Sequence, residues 1–165
     1  MKIRTAFFML ILTVLWSCRQ DDDGLQKIDQ VLQLYIKNNL GQDLLNSSST
    51  GSFQNVTVKD IGGVRDQMSI SGYTLRKDQN GQNYLEYIAG AKRNLTDSLS
   101  ADHKKYRSDM ILLLSKSSTD SVDIDTLSAF YDWKPQIFQI QTVNYNGKKI
   151  FTKTEGQQNI VTVIK

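Results

Sequence analysis

Apolar positions along the chain fall into two regimes. From Ala6 to Leu15 the stretch AFFMLILTVL carries no charge and follows a short start holding Lys2 and Arg4. Beyond Gly24 apolar and polar residues interleave. Leu25, Ile28, Leu32 and Tyr35 recur at steps of three and four, and Val31 and Ile36 widen the stripe. That spacing predicts one amphipathic helix, stopped at Gly41. Leu44-Leu45 would add a last apolar turn before the polar loop Asn46 to Gly51. The period then drops to two. Phe53, Val56 and Val58 open a strand. Met68 and Ile70 share one face, and Tyr73 and Leu75 share the other, with a bulge expected at Gly72. Asn80-Gly81 predicts a hairpin turn into a strand from Asn83 to Ala89. Asn94 to His103 reads as a polar loop with one helical turn. Tyr106 to Leu114 ends apolar on both faces, as a central strand does. Val122 to Phe130 forms a further strand, and Pro135 then breaks the chain. Ile137 to Tyr145 and Lys148 to Thr154 pair around Asn146-Gly147, and Ile160 to Ile164 closes the chain.

One helix followed by six or seven antiparallel strands predicts an α+β domain with the helix lying across a curved sheet. The arrangement resembles cystatin-like and nuclear-transport-factor-like folds in architecture alone, since no motif of either family occurs. Three segments are expected: a signal peptide over 1–17, an acidic tether over 18–24, and a single globular domain over 25–165.

The opening segment determines where such a domain would work. A basic start, an apolar zone too short to span a bilayer and small residues before Cys18 have the layout of a secretory signal peptide. Leu15-Trp16-Ser17-Cys18 resembles the lipobox of bacterial lipoproteins. That resemblance implies cleavage before Cys18, a diacylglycerol on its thiol and a palmitate on the new amino terminus. One acyl chain holds a protein to a membrane only marginally, whereas several hold it stably. Arg19-Gln20-Asp21-Asp22-Asp23 resembles the acidic export signal of surface lipoproteins of the Bacteroidota, which implies the outer face of the outer membrane; the alternative is its periplasmic face. Like charges also extend a chain, so the same residues serve as a solvated leash. Asp97-Ser98-Leu99, Asp120-Ser121-Val122 and Asp125-Thr126-Leu127 resemble the O-glycosylation acceptor site of the same bacteria, with Ser98, Ser121 and Thr126 as acceptors.

Composition narrows the chemistry. The net charge of +3 falls to +1 once Lys2 and Arg4 are removed, and the remaining base is scattered, which argues against a nucleic-acid partner. Acid is lopsided, with 15 Asp against 2 Glu, so the chain favours turns and caps over helix interiors. The single histidine, His103, sits in a polar stretch and reads as a solvated surface residue. One histidine and one cysteine make no usual zinc set, no phosphate loop is present, and no cofactor or metal is expected. Asp123 and Asp125 alternate around Ile124, with Asp120 nearby, and could form an acid–base pair or a cation site. The simpler reading is the solvent face of a strand whose inner face is Val122 and Ile124.

Phe130-Tyr131-Asp132-Trp133-Lys134-Pro135 is the strongest binding candidate, because aromatics at a strand end offer large contact area at low entropic cost. Phe130, Tyr131 and Trp133 are the expected contacts. The sequence thus points to a lipid-anchored, non-catalytic binding or accessory module for a protein or a glycan, with its membrane contact through Cys18. A protective, immunity or inhibitor role is the alternative, and a hydrolase built on the Asp cluster is the least supported.

Overall fold

The computed structural model describes residues 24–63 and 68–165. It holds twelve strands in two sheets and no α-helix among the described residues. In chain order they are β1 (Lys27–Asp29), β2 (Leu32–Lys37), β3 (Asn55–Asp60), β4 (Met68–Ser69), β5 (Tyr73–Lys77) and β6 (Asn83–Tyr87). There follow β7 (Asn94–Ser100), β8 (His103–Ser115), β9 (Asp123–Lys134), β10 (Ile137–Tyr145), β11 (Lys148–Thr152) and β12 (Ile160–Ile164). The large sheet runs β1-β10-β9-β8-β3-β4, with β11 beside β10 and β7 beside β8; the small one runs β12-β2-β6-β5.

The predicted helix is therefore absent, and the domain is β-rich rather than α+β. The stripe that suggested a helix also contains a period of two: Leu32, Leu34 and Ile36 are fully buried, while Leu25 is 83% exposed and Ile28 54%. Burial follows the alternation because β2 is held on both sides. Leu34 pairs with Leu85 of β6, and Val161 and Val163 of β12 lie parallel to Leu34 and Ile36. Pairing with two flanking strands selects the period of two, and tertiary packing overrides local periodicity.

The inward residues of both sheets form one core. From the large sheet come Val58, Met110, Leu112, Leu114, Leu127, Ala129, Tyr131, Phe138, Ile140, Val143 and Phe151; from the small one come Leu32, Leu34, Ile36, Leu85, Tyr87, Val161 and Val163. Asn94–Ser100, expected as a loop, is strand β7. It is an exposed flank paired to β8 on one side only, so no buried face marks it in the sequence. Pro135 and Gln136 do not break the sheet: they form a two-residue turn, and Lys134 pairs with Ile137 across the β9–β10 hairpin. Asn80-Gly81 and Asn146-Gly147 do make hairpin turns, with Gly81 and Gly147 at positive φ.

The chain changes sheets where it cannot build a regular ladder. Between β4 and β5 it crosses at Gly72, so the change of face there marks a passage between sheets rather than a bulge. A Cβ on Gly72 would lie 1.9 Å from the Ala89 carbonyl oxygen, and one on Gly90 would lie 2.1 Å from Ile70 Cγ2. Only glycine lets these two crossing segments touch.

The second joint is polar. β1 and β11 belong to the large sheet, and β2 and β12, which follow them, to the small one. Where the two pairs part, Lys153 donates from Nζ to Asp29 Oδ2 at 2.7 Å and to Asn159 Oδ1 at 2.9 Å. Asn159 Nδ2 donates in turn to Asp29 Oδ1 at 2.8 Å and to the Val31 carbonyl at 3.0 Å. Asn159 is buried, and the Lys153 side chain is only 5% exposed. Removing one member of such a network leaves its partners desolvated and unbonded. Asn159→Ala is expected to lower stability by about 2 kcal/mol, read as the urea midpoint of the purified protein. A midpoint equal to the wild type would show that water replaces the bonds at no cost.

Candidate functional site

The register of the large sheet assembles one continuous row. Ile28 of β1 lies beside Phe138 of β10, Phe138 beside Trp133 of β9, and Trp133 beside Lys104 of β8. Three interstrand spacings make this row roughly 14 Å long. Strand alternation puts it on the same face as the core, where Phe138 is buried and Trp133 and Lys104 are half-buried. In the next row Tyr106 and Tyr131 are neighbours. Tyr131 stacks on Phe138 with centroids 5.2 Å apart and planes 12° from parallel, and Tyr106 meets Phe138 edge-on at 6.3 Å. Gln26, Ile28, Gln30, Arg93, Tyr106, Trp133 and Phe138 enclose a cavity of about 440 Å³.

Each wall has a reason to stand. Gln26 Nε2 donates to the Lys134 carbonyl at 2.7 Å and the Lys27 amide to that of Gln136 at 2.9 Å, which fixes β1 to the β9–β10 turn. The Arg93 guanidinium lies over Phe138 at 4.7 Å and over Tyr131 at 5.4 Å, where ring quadrupoles attract a cation. It also donates to Gln30 Oε1. Lys104 Nζ lies 5.2 Å from the Trp133 ring. Burial pushes the Tyr131 hydroxyl above its ordinary pKa, against the opposing influence of Ser108, Tyr87 and Arg93.

The predicted aromatic cluster therefore divides. Trp133 lies on the shelf, Tyr131 is buried beneath it, and Phe130 points to the opposite face, under the Arg107 guanidinium at 5.2 Å. Tyr106, Phe138, Arg93, Lys104 and Ile28 were not singled out from the sequence. The available signal was the two-residue turn at Pro135: pairing Lys134 with Ile137 puts Phe138 beside Trp133.

The Asp cluster is arranged differently from the expectation. Asp125 is buried and Ile124 is 62% exposed, so the inner face of β9 continues Leu127, Ala129 and Tyr131 back to Asp125 rather than to Val122 and Ile124. Asp125 accepts from Tyr145 Oη, from Asn146 Nδ2 at 2.6 Å and from Lys165 Nζ, which also bonds Asp123. Asp120 stays in the exposed loop before β9. Burial alone would raise the Asp125 carboxyl; the bonds from Lys165, Tyr145 and Asn146 outweigh it and hold it below the ordinary carboxylate range. Tyr145 is pushed up, by burial first and by Asp125 second.

A larger cleft, about 1270 Å³, adjoins this network. Its lining mixes hydroxyl and amide side chains with apolar ones, and of its charged members Asp43, Lys116, Asp120, Asp123 and Lys165 the last two are paired with each other. Among the described residues no group of three His, Cys, Asp or Glu is placed to hold a metal. His103 is not freely solvated: its Nε2 is 2.6 Å from Asp132 Oδ1. Ser98, Ser121 and Thr126 are all exposed, and the Thr126 hydroxyl bonds Asn146 Oδ1 at 3.4 Å. The signal peptide, Cys18 and the segment Arg19, Gln20, Asp21, Asp22 and Asp23 lie outside the described residues.

Comparison with protein families, with curated proteins and with solved structures finds no match for this chain.

Asp29 resembles Asp125 in its titration. Its burial is outweighed by bonds from Lys153 and Asn159, and its pKa is lowered. A carboxyl with a depressed folded-state pKa contributes stability above the unfolded value of about 3.9 and loses it as pH falls through the folded value. The urea midpoint is therefore expected to be flat from neutral pH down to about pH 5 and to fall below about pH 4. Asp125→Asn should begin less stable and fall less steeply. An identical acid limb in wild type and variant would contradict the assignment.

Proposed function

We propose that this chain is a lipid-anchored protein of the bacterial outer membrane, facing outward, and that it binds a glycan without transforming it. The row Ile28–Phe138–Trp133–Lys104, in which Ile28 is exposed, Trp133 and Lys104 are half-buried and Phe138 is buried beneath Arg93, is the observation that carries the reading. A sugar ring presents one apolar face of C–H groups and an edge of hydroxyls. Flat aromatic surface suits the first, and amide and guanidinium groups suit the second. Trp133 and Tyr106 supply the surface, and Gln26, Gln30 and Arg93 supply the polar groups.

Size favours a glycan over a protein partner. A cavity of about 440 Å³ falls within the small-ligand range of roughly 300–1,000 Å³. A stable protein interface takes about 800 Å² from each partner. The lipobox-like Leu15-Trp16-Ser17-Cys18 and the acidic run after it support the anchor and the outward address. Only seven residues separate Cys18 from Gln26 in the cavity wall, so the anchor would hold the site within about 30 Å of the lipid.

Intact cells displaying the protein, incubated with fluorescent oligosaccharides, test this reading. Wild type should retain label. Trp133→Ala should cut affinity by about 2 kcal/mol, the loss typical of a stacked anchor, with the β-sheet circular dichroism unchanged. Cys18→Ala should remove both the protein and the label from the membrane fraction. Retention of label by cells carrying Trp133→Ala at wild-type affinity would overturn the assignment of the site.

A further inference from the structure

We infer that the shelf selects an acidic sugar, one bearing a carboxylate such as a uronic acid, over a neutral one; this rests on the glycan reading above. The argument is one of charge left without a partner. No carboxylate lines the cavity among the described residues. Its one formally charged wall is Arg93, and Lys104 stands over Trp133 at the end of the same row. The ion pairs of the described residues engage Arg76, His103, Arg107, Lys134, Lys153 and Lys165, but neither Arg93 nor Lys104. Two cations on one aromatic surface, with no ion pair to acid among the described residues, favour an anion there.

The Arg93 geometry narrows the anion. The guanidinium lies over Phe138 and Tyr131, and Gln30 takes one of its N–H groups. A planar guanidinium fork matches a planar carboxylate with two parallel bonds. Lys104 offers a second, undirected charge about one strand away. A sugar ring packed on Trp133 would carry its carboxylate to one of these groups. Three described acidic residues have partners elsewhere: Asp29 pairs with Lys153, Asp132 with His103 and Lys134, and Asp60 accepts from the amides of Gly62 and Lys92.

Isothermal titration of the full chain, purified in detergent, tests the inference with three probes of equal length: an oligogalacturonate, a neutral gluco-oligosaccharide and a sulfated oligosaccharide. The oligogalacturonate should bind about tenfold or more tighter than the neutral probe at low salt, as a charged hydrogen-bonded contact implies, and the gap should shrink as salt rises. Arg93→Gln should remove most of that gap by weakening acidic-sugar binding more than neutral-sugar binding, and Arg93→Lys, which keeps the charge but not the fork, should fall between. Because Arg93 is exposed, these variants are expected to fold, which thermal melts would confirm. Equal binding of charged and neutral sugars would overturn the selectivity and leave the glycan reading standing. Preference for the sulfated probe alone would overturn the carboxylate assignment. If no probe binds, the glycan reading fails together with this one.

Discussion

The fold depends on a buried charge that has found its partners. Lys153, with its side chain almost wholly enclosed, sits where the chain twice leaves the large sheet for the small one. An ammonium in that position is tolerable only if its donors are satisfied. Asp29, Asn159 and the Gln157 carbonyl accept all three, and the first two tie the end of β1 to the start of β12. Both parallel pairings of the fold, β1 with β10 and β12 with β2, lie on either side of this knot. The glycine crossing at Gly72 and Gly90 is its steric counterpart, and one solves by hydrogen bonding what the other solves by removing side chains.

The knot also decides where the candidate site lies. Because β1 separates from β2 at this point, β1 stays on the large sheet and extends it past the edge of the core. The inner face there holds aromatics that continue the core pattern but have no opposing sheet. Tyr131 and Phe138 belong to both regions, and their stacked pair gives the shelf a rigid base. Arg93 and Lys104 then cover apolar ring faces that would otherwise meet water, and remain free to bond an anion.

Local signals in the sequence were sound wherever the chain itself decides the geometry. Asn80-Gly81 and Asn146-Gly147 make the expected turns, and Met110–Leu114 lies in a strand with neighbours on both sides, because turn chemistry and continuous apolarity are properties of the segment. The helix over Leu25–Leu40 was misread because its apolar spacing fits both periods and only the presence of β6 and β12 chooses between them. The face of Asp125 was misread because burying a carboxylate depends on Lys165, forty residues away, and on Tyr145 and Asn146. Trp133 stood out in the sequence as an aromatic at a strand end. Phe138, Tyr106 and Arg93 did not, since only the register of four strands brings them together.

Trp133 is the single tryptophan of the segment that follows Ser17, so the site carries its own reporter. Quenching of its fluorescence by acrylamide, with and without a saturating acidic oligosaccharide, measures whether the shelf is open and whether it closes over a ligand. The account predicts efficient quenching in the free protein and saturable protection on adding the sugar. A tryptophan shielded from quencher in the free protein, or equally quenched with the sugar bound, would contradict it.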